Sequence, residues 1–279
     1  MNKFRGTREF AFEMSHALFM LEQEPYTNLS CYGRDVEPHG HNWKLQIEIE
    51  GPKHPEHQMI YDLSKLDKLF KKQIDVRYDH RYFDINILDR VPTIENLTRT
   101  MWNGLVTKCD YLHQIQLYEY PYIWTTYGGQ DMYLNTSYQF SAQHRTHNTQ
   151  LHDIQNQNYY GKCNRYHGHN YSLVVTLKGP VNEKTGLIVN RVSLDKCMNS
   201  FIETYLAHKT LNKIPGLQDT NATTENILEV LWNLLLTHLV RENIIVPKDH
   251  RTPRLYRLRL HETDRNYFDY FGPDKEEVL

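Results

Sequence analysis

The chain has 279 residues, with 32 Lys and Arg set against 34 Asp and Glu, for a formal net charge of −2. That balance gives no basic footprint for nucleic acid, and no apolar run approaches the roughly 18 residues a membrane span requires. The start, Met1 to Arg5, is polar, so a soluble cytoplasmic protein with neither a nucleic-acid nor a membrane partner is expected.

The elements follow in chain order. Trp43 to Glu50 alternates apolar and polar residues, the mark of a half-buried antiparallel strand. Ser64 opens a helix to about Ile74 and Thr93 another to about Lys108, each with a side-chain oxygen able to cap the first amides. Gln114 to Glu119 and Tyr122 to Tyr127 close this half as strands. In the second half Tyr171 to Leu177 is a more apolar strand, and Thr224 to Leu239 is a helix with Ile227, Leu231 and Leu235 on one stripe. Leu255 to Glu262 and Tyr267 to Phe271 are the last strands. The stretch from Arg241 to Pro253, without a counterpart in the first half, reads as a surface loop. The fold class is α+β.

The two halves repeat one another. Phe12 to His16 returns as Phe140 to His144, and His39-Gly40-His41 as His167-Gly168-His169, both after a step of 128 residues. The same step carries Asp62 to Asn190 and His80 to His208. Thr93-Ile94-Glu95-Asn96 returns as Thr223-Thr224-Glu225-Asn226, and Glu119 as Glu262, at wider steps that insertions explain. Paired glycines at Gly128-Gly129 mark the junction, giving domains 1–129 and 130–279.

Residues i and i+2 of a strand share a face, so His39 with His41, and His167 with His169, present two imidazoles side by side. His16 or His144 from the preceding strand completes a three-histidine set, which suits zinc and leaves a position for water or substrate. Up to two Zn2+ per chain are expected. A single His-x-His could be a surface accident, but its return at constant spacing with an upstream histidine argues for ligands. His54, His57, His113, His147, His152, His238, His250 and His261 show no such spacing and read as ordinary polar residues. The four cysteines, Cys31, Cys109, Cys163 and Cys197, form no CxxC pair; Cys109 and Cys197 read as buried helix residues.

These residues resemble the 6-pyruvoyltetrahydropterin and 6-carboxytetrahydropterin synthase family. The second half carries the fuller pattern, from Phe140-Ser141-Ala142-Gln143-His144 through Cys163 and His167-Gly168-His169 to His261-Glu262-Thr263. The resemblance implies two tandem tunnelling-fold (T-fold) units, each an antiparallel four-stranded sheet with two helices on one face, in the order ββααββ. It also implies a homo-oligomer with sites between domains or subunits. The implied substrate is 7,8-dihydroneopterin triphosphate, with zinc on its side chain, a cysteine thiolate and an Asp-His pair moving protons, and a glutamate anchoring the pterin ring. Carried onto this chain, the metal ligands are His16, His39, His41, His144, His167 and His169, and the catalytic candidates are Cys163, Cys31, Asp79, His80 and His208. Glu262 and Glu119 become pterin anchors, and Thr224, Glu225, Thr93 and Glu95 become substrate-binding candidates, with helix capping the alternative role for Glu225 and Glu95.

Each half departs from the pattern. The first keeps Asp79-His80 but has Cys31 eight residues before His39 and Tyr120 after Glu119; the second has Cys163 four residues before His167 but Ala207 in place of the aspartate. A composite site follows as an expectation: His144, His167, His169 and Cys163 joined by Asp79-His80 of a first half. The alternative is that the second half works alone through His208. The Cys163–His167 spacing favours the 6-carboxytetrahydropterin product, on the route to a modified tRNA base, over the pyruvoyl product. A partly inactive pterin-binding scaffold is the competing class.

Overall fold

Alternating apolar residues in long strands and four-residue spacing in the helices give each half of the chain one sheet face to cover and helices to cover it. The computed structural model describes residues 2–21, 23–218, 220–247 and 251–273. It divides into two units: the first takes residues up to Asn135 together with Lys178–Val192, and the second takes Thr136–Leu177 and most of the chain after Ser193.

In the first unit β1 (Phe4–His16), β2 (His39–Gly51), β3 (Arg81–Phe83), β4 (Leu112–Tyr120) and β5 (Ile123–Tyr127) lie in the order β3-β1-β2-β4-β5. β1 and β2 are antiparallel from Phe4 opposite Gly51 to His16 opposite His39, so the register itself brings the histidines to one end of the ladder. The inward residues Phe12, Met14, Trp43, Leu45, Ile47, Ile115 and Leu117 pack on Leu66, Phe70 and Ile74 and on Leu97, Met101 and Leu105 from two helical segments. Burying each such side chain is worth about 1.5–3 kcal/mol.

The first of those segments runs as an α-helix over Leu63–Phe70, capped by the Asp62 carboxylate on Ser64 N–H, and continues as a π-helical turn, Lys71–Asp75. The second, Ile94–Val106, is capped by Thr93. It stops before Cys109, which is buried in the turn leading to β4 and not in a helix as the sequence suggested.

In the second unit β6 (Met132–His144), β7 (His167–Gly179), β8 (Arg254–Thr263) and β9 (Asn266–Tyr270) follow in chain order. Helix Arg191–Tyr205, which belongs to this unit from Ser193 onward, buries Leu194, Cys197, Met198 and Phe201, and helix Thr224–Arg241 buries Ile227, Leu231 and Leu235. The 241–253 insertion is not wholly superficial, since Ile244 and Ile245 are buried. Residues 248–250, His250 among them, lie outside the described residues.

Two further helices, Pro25–Tyr32 and Asp153–Tyr160, join the first two strands of each repeat. They bury only Tyr32 and Asn156 respectively, so they leave no apolar stripe for a sequence to show.

Candidate metal centres and acid-base groups

His16 ends β1 while His39 and His41 open β2, and strand alternation puts all three rings on one face. Ring centroids are 4.5 Å apart for His16–His39, 5.2 Å for His16–His41 and 4.9 Å for His39–His41. The second unit repeats this with 4.6, 5.3 and 5.0 Å for His144–His167, His144–His169 and His167–His169. In each trio one nitrogen per ring lies within 4.8 Å of the other two.

Backbone carbonyls fix the tautomers of four of these six histidines. The Nδ1–H of His16 faces Pro92 O at 2.9 Å, that of His39 faces Glu37 O at 2.8 Å, that of His144 faces Ala222 O at 3.0 Å and that of His167 faces Arg165 O at 2.7 Å. With Nδ1 protonated, Nε2 carries the lone pair that a metal needs. Burial holds His16 down to about 4 and lowers His41 and His169 as well, so these rings are neutral at pH 7.

The residues present fit a cation. Nε2 of His16 and of His41 are 3.2 Å apart, about the separation that two nitrogens on one tetrahedral zinc require. Buried Nε2 atoms of His39, His144 and His169, and Oε1 of Glu119, have no hydrogen-bond partner. Glu119 Oε1 lies 3.5 Å from His16 Nε2 and 3.8 Å from His41 Nε2. Glu262 Oε1 lies 3.2 Å from His144 Nε2 and 3.6 Å from His169 Nε2. Acceptors facing acceptors at these distances repel unless a positive centre sits among them, because a buried polar group without a partner is costly.

The carboxylates beside the two trios differ. Glu262 stays 19% exposed on its side chain and accepts from Asn266 Nδ2 at 2.9 Å. Glu119, at 2%, accepts from Arg191 Nη1 at 2.5 Å. Sequence reading missed Arg191, which lies 72 residues from Glu119.

Asp79 follows the short helix Val76–Tyr78; its Oδ1 accepts the Glu13 N–H at 3.0 Å and its Oδ2 pairs with His80 Nδ1 at 2.9 Å. The Glu13 amide holds the Asp79 carboxyl below the usual range, and Asp79 in turn raises the His80 imidazole above its ordinary value. Both cluster with the Glu13 carboxylate. Glu13 points to the opposite face of β1 from Met14 and His16, so the pair lies away from its own histidine trio. His80 and His208 share a left-handed backbone, φ 54° and 56°, which is uncommon outside glycine and recurs at functional positions. His208 lines an open cleft of about 420 Å³ with Ser141, Gln143, Asn170 and Lys209.

Cys163 is half-buried in the turn Gly161–Asn164, and its carbonyl accepts from Thr146 N–H. Cys31 lies inside helix Pro25–Tyr32 and packs on Leu18, Met20, Tyr32, Val91 and Leu187. The helices and the glycines that end them, Gly33 and Gly161, keep the 128-residue step, so Asp35 is the counterpart of Cys163 and Tyr159 that of Cys31. Asp35 Oδ1 stands 3.8 Å from His39 Nε2. Carrying the repeat step through this turn identifies Asp35; counting back from the histidines does not.

Of the remaining candidates, Thr93 and Thr223 are the helix caps, each accepting from the Asn N–H three residues on. Thr224 is buried and Glu225 exposed. Glu95 is fully buried, which pushes its carboxyl up to about 7, and accepts from Ile188 N–H at 3.1 Å. Neither glutamate serves as the cap residue of its helix.

Among the described residues no helix is long and apolar enough to cross a membrane. A family model described as 6-pyruvoyl tetrahydropterin synthase matches residues 5–130 and again 133–273. The chain is 35% identical over 137 residues to 6-pyruvoyl tetrahydrobiopterin synthase of Drosophila melanogaster, covering 48% of this chain and 76% of that one. It is 37% identical over 143 residues to the protein of that name from Poecilia reticulata, covering 50% and 90%. The solved structure of Caenorhabditis elegans 6-pyruvoyl tetrahydropterin synthase aligns with a TM-score of 0.45 at 29% identity, over 51% of this chain and 96% of that chain. The strands and helices of both units, and the double match, are those of tandem T-folds, in a family that is generally zinc-dependent. The chain belongs to the 6-pyruvoyl tetrahydropterin synthase family of lyases and carries its domain twice.

Proposed function

We propose that the chain is a zinc-dependent lyase acting on 7,8-dihydroneopterin triphosphate through its second repeat. The observation that carries this reading is the second histidine trio, with the His144 and His167 tautomers locked by backbone carbonyls and the partly exposed Glu262 carboxylate 3.2 Å from His144 Nε2. Zinc held by His144, His167 and His169 would polarise the substrate's side-chain oxygens and acidify the adjoining C–H bonds.

The other roles fall to the chain's own groups. Glu262 accepts the paired N–H donors of the amino-pyrimidinone edge, which sets the ring's orientation. Cys163, half-buried in its turn four residues before His167, is the group that takes the proton. Positioned proton transfer of this kind is typically worth about 10²–10⁴ in rate.

The names of the relatives favour a 6-pyruvoyl product. The short Cys163–His167 spacing favours the 6-carboxy product instead and keeps that as the second reading. Incubation with 7,8-dihydroneopterin triphosphate and mass analysis decides: a retained three-carbon side chain is the pyruvoyl product, and loss of a two-carbon fragment is the carboxy product. Recovery of unchanged substrate would leave only a pterin-binding scaffold.

The proposal extends to self-association in the cytoplasm, with Asp79-His80 supplied to the working site of another copy. Its support is that this pair faces away from its own trio while Ala207 leaves His208 without an aspartate. Mixed assemblies of Asp79→Ala and Cys163→Ala chains should regain activity that neither variant has. If the Asp79→Ala chain alone is fully active, the second repeat works through His208 unaided.

A further inference from the structure

Glu119, the first-repeat counterpart of Glu262, is already engaged by a guanidinium. Glu119 is buried, with one carboxylate oxygen turned to His16 and His41 and the other accepting from Arg191 Nη1. A guanidinium and an amino-pyrimidinone edge present the same chemistry, N–H donors on a planar N–C–N unit, to a carboxylate.

We propose that Arg191 permanently occupies the place of the pterin edge on Glu119, so that the first-repeat site holds metal but no pterin. Each chain then has two metal sites and one pterin site. The inference rests on the reading of Glu262 as the pterin anchor.

Three observations support it. The repeat step of 128 residues places Leu63 opposite Arg191, so the charged residue is particular to the segment that meets Glu119. The segment before Arg191 is pinned within the first unit. Tyr32 Oη donates to Thr185 O, Thr93 Oγ1 to Gly186 O, Ile188 N–H to Glu95 and Asn190 Nδ2 to Ser30 O, at 2.6–3.1 Å. Gly186 permits this approach: at φ 73° an added Cβ would meet Asn96 Nδ2 at 2.5 Å and Thr93 Oγ1 at 2.9 Å.

The third observation is charge. Burial works against the guanidinium, but Glu119, with Asp35 and Glu95 nearby, outweighs it and keeps Arg191 charged. A pterin arriving at Glu119 would return to the carboxylate only the donors it already has, and would strip Arg191 of its closest partner. Breaking a buried ion pair in that way is strongly unfavourable.

Titration calorimetry of the zinc-loaded full chain with biopterin, which carries the amino-pyrimidinone edge, tests this alongside zinc content. One biopterin per wild-type chain, none in Glu262→Gln and two in Arg191→Leu, with two zinc throughout, are the results expected. Two per wild-type chain, falling to one in Glu262→Gln, would overturn the inference even if Arg191→Leu failed to fold. So would a folded Arg191→Leu chain holding two zinc and one biopterin. No binding by the wild type would sink the pterin reading itself, and this inference with it.

Discussion

His144 donates its Nδ1–H to the Ala222 carbonyl at 3.0 Å and turns its Nε2 lone pair to Glu262 Oε1 at 3.2 Å. A lone pair and a carboxylate oxygen at that distance call for a cation, and the first repeat poses the same demand at His16 and Glu119.

Metal content should therefore be two zinc per chain by atomic emission. His144→Ala and His16→Ala should each reduce it to one. Chelation should lower Tm, since a ligand bound only to the folded state stabilises it by mass action. Retention of two zinc in His144→Ala would refute the assignment of ligands.

The Asp79–His80 pair makes a pH prediction. Asp79 raises the His80 imidazole, so the ring stays protonated to higher pH than a free histidine, and any stability it lends is present at low pH and lost as pH rises through its folded value. Asp79→Asn should move the His80 titration downward by NMR. An unchanged midpoint would show that the pair does not couple in solution.

Thiol reactivity should divide the cysteines two and two. Burial pushes Cys197 up to about 11 and raises Cys109, whereas Cys31 and Cys163 are partly exposed. Alkylation at pH 8 should label Cys31 and Cys163 in the native protein and reach Cys109 and Cys197 only after unfolding, as read by peptide mass spectrometry. Equal labelling of all four would contradict the burial described.

Gly186→Ala should destabilise the first unit by about 1–3 kcal/mol, because the left-handed backbone is strained for alanine and the added carbon meets Asn96 and Thr93. Denaturant melts check this, and a wild-type midpoint would contradict it.

The metal trios were legible in the sequence because two strong regularities coincide there, the i, i+2 period of a strand and the 128-residue repeat. The core helices were legible from the side-chain cap at Thr93 and from one-faced spacing at Ile227, Leu231 and Leu235. Helices Pro25–Tyr32 and Asp153–Tyr160 were not, since each buries a single side chain and their formation depends on the strands they bridge. Counted from His39, Cys31 sits eight residues back and out of step with Cys163; the helices set the register, in which Asp35 stands where Cys163 does. Arg191 on Glu119 is a tertiary contact that no local pattern encodes.

The central claim, that chemistry belongs to the second repeat, is tested most directly by product formation from 7,8-dihydroneopterin triphosphate in Cys163→Ala and Cys31→Ala chains. A loss of about 10²-fold or more in Cys163→Ala, with Cys31→Ala near wild type, is the predicted result. The reverse pattern, activity lost with Cys31 and kept without Cys163, would contradict it.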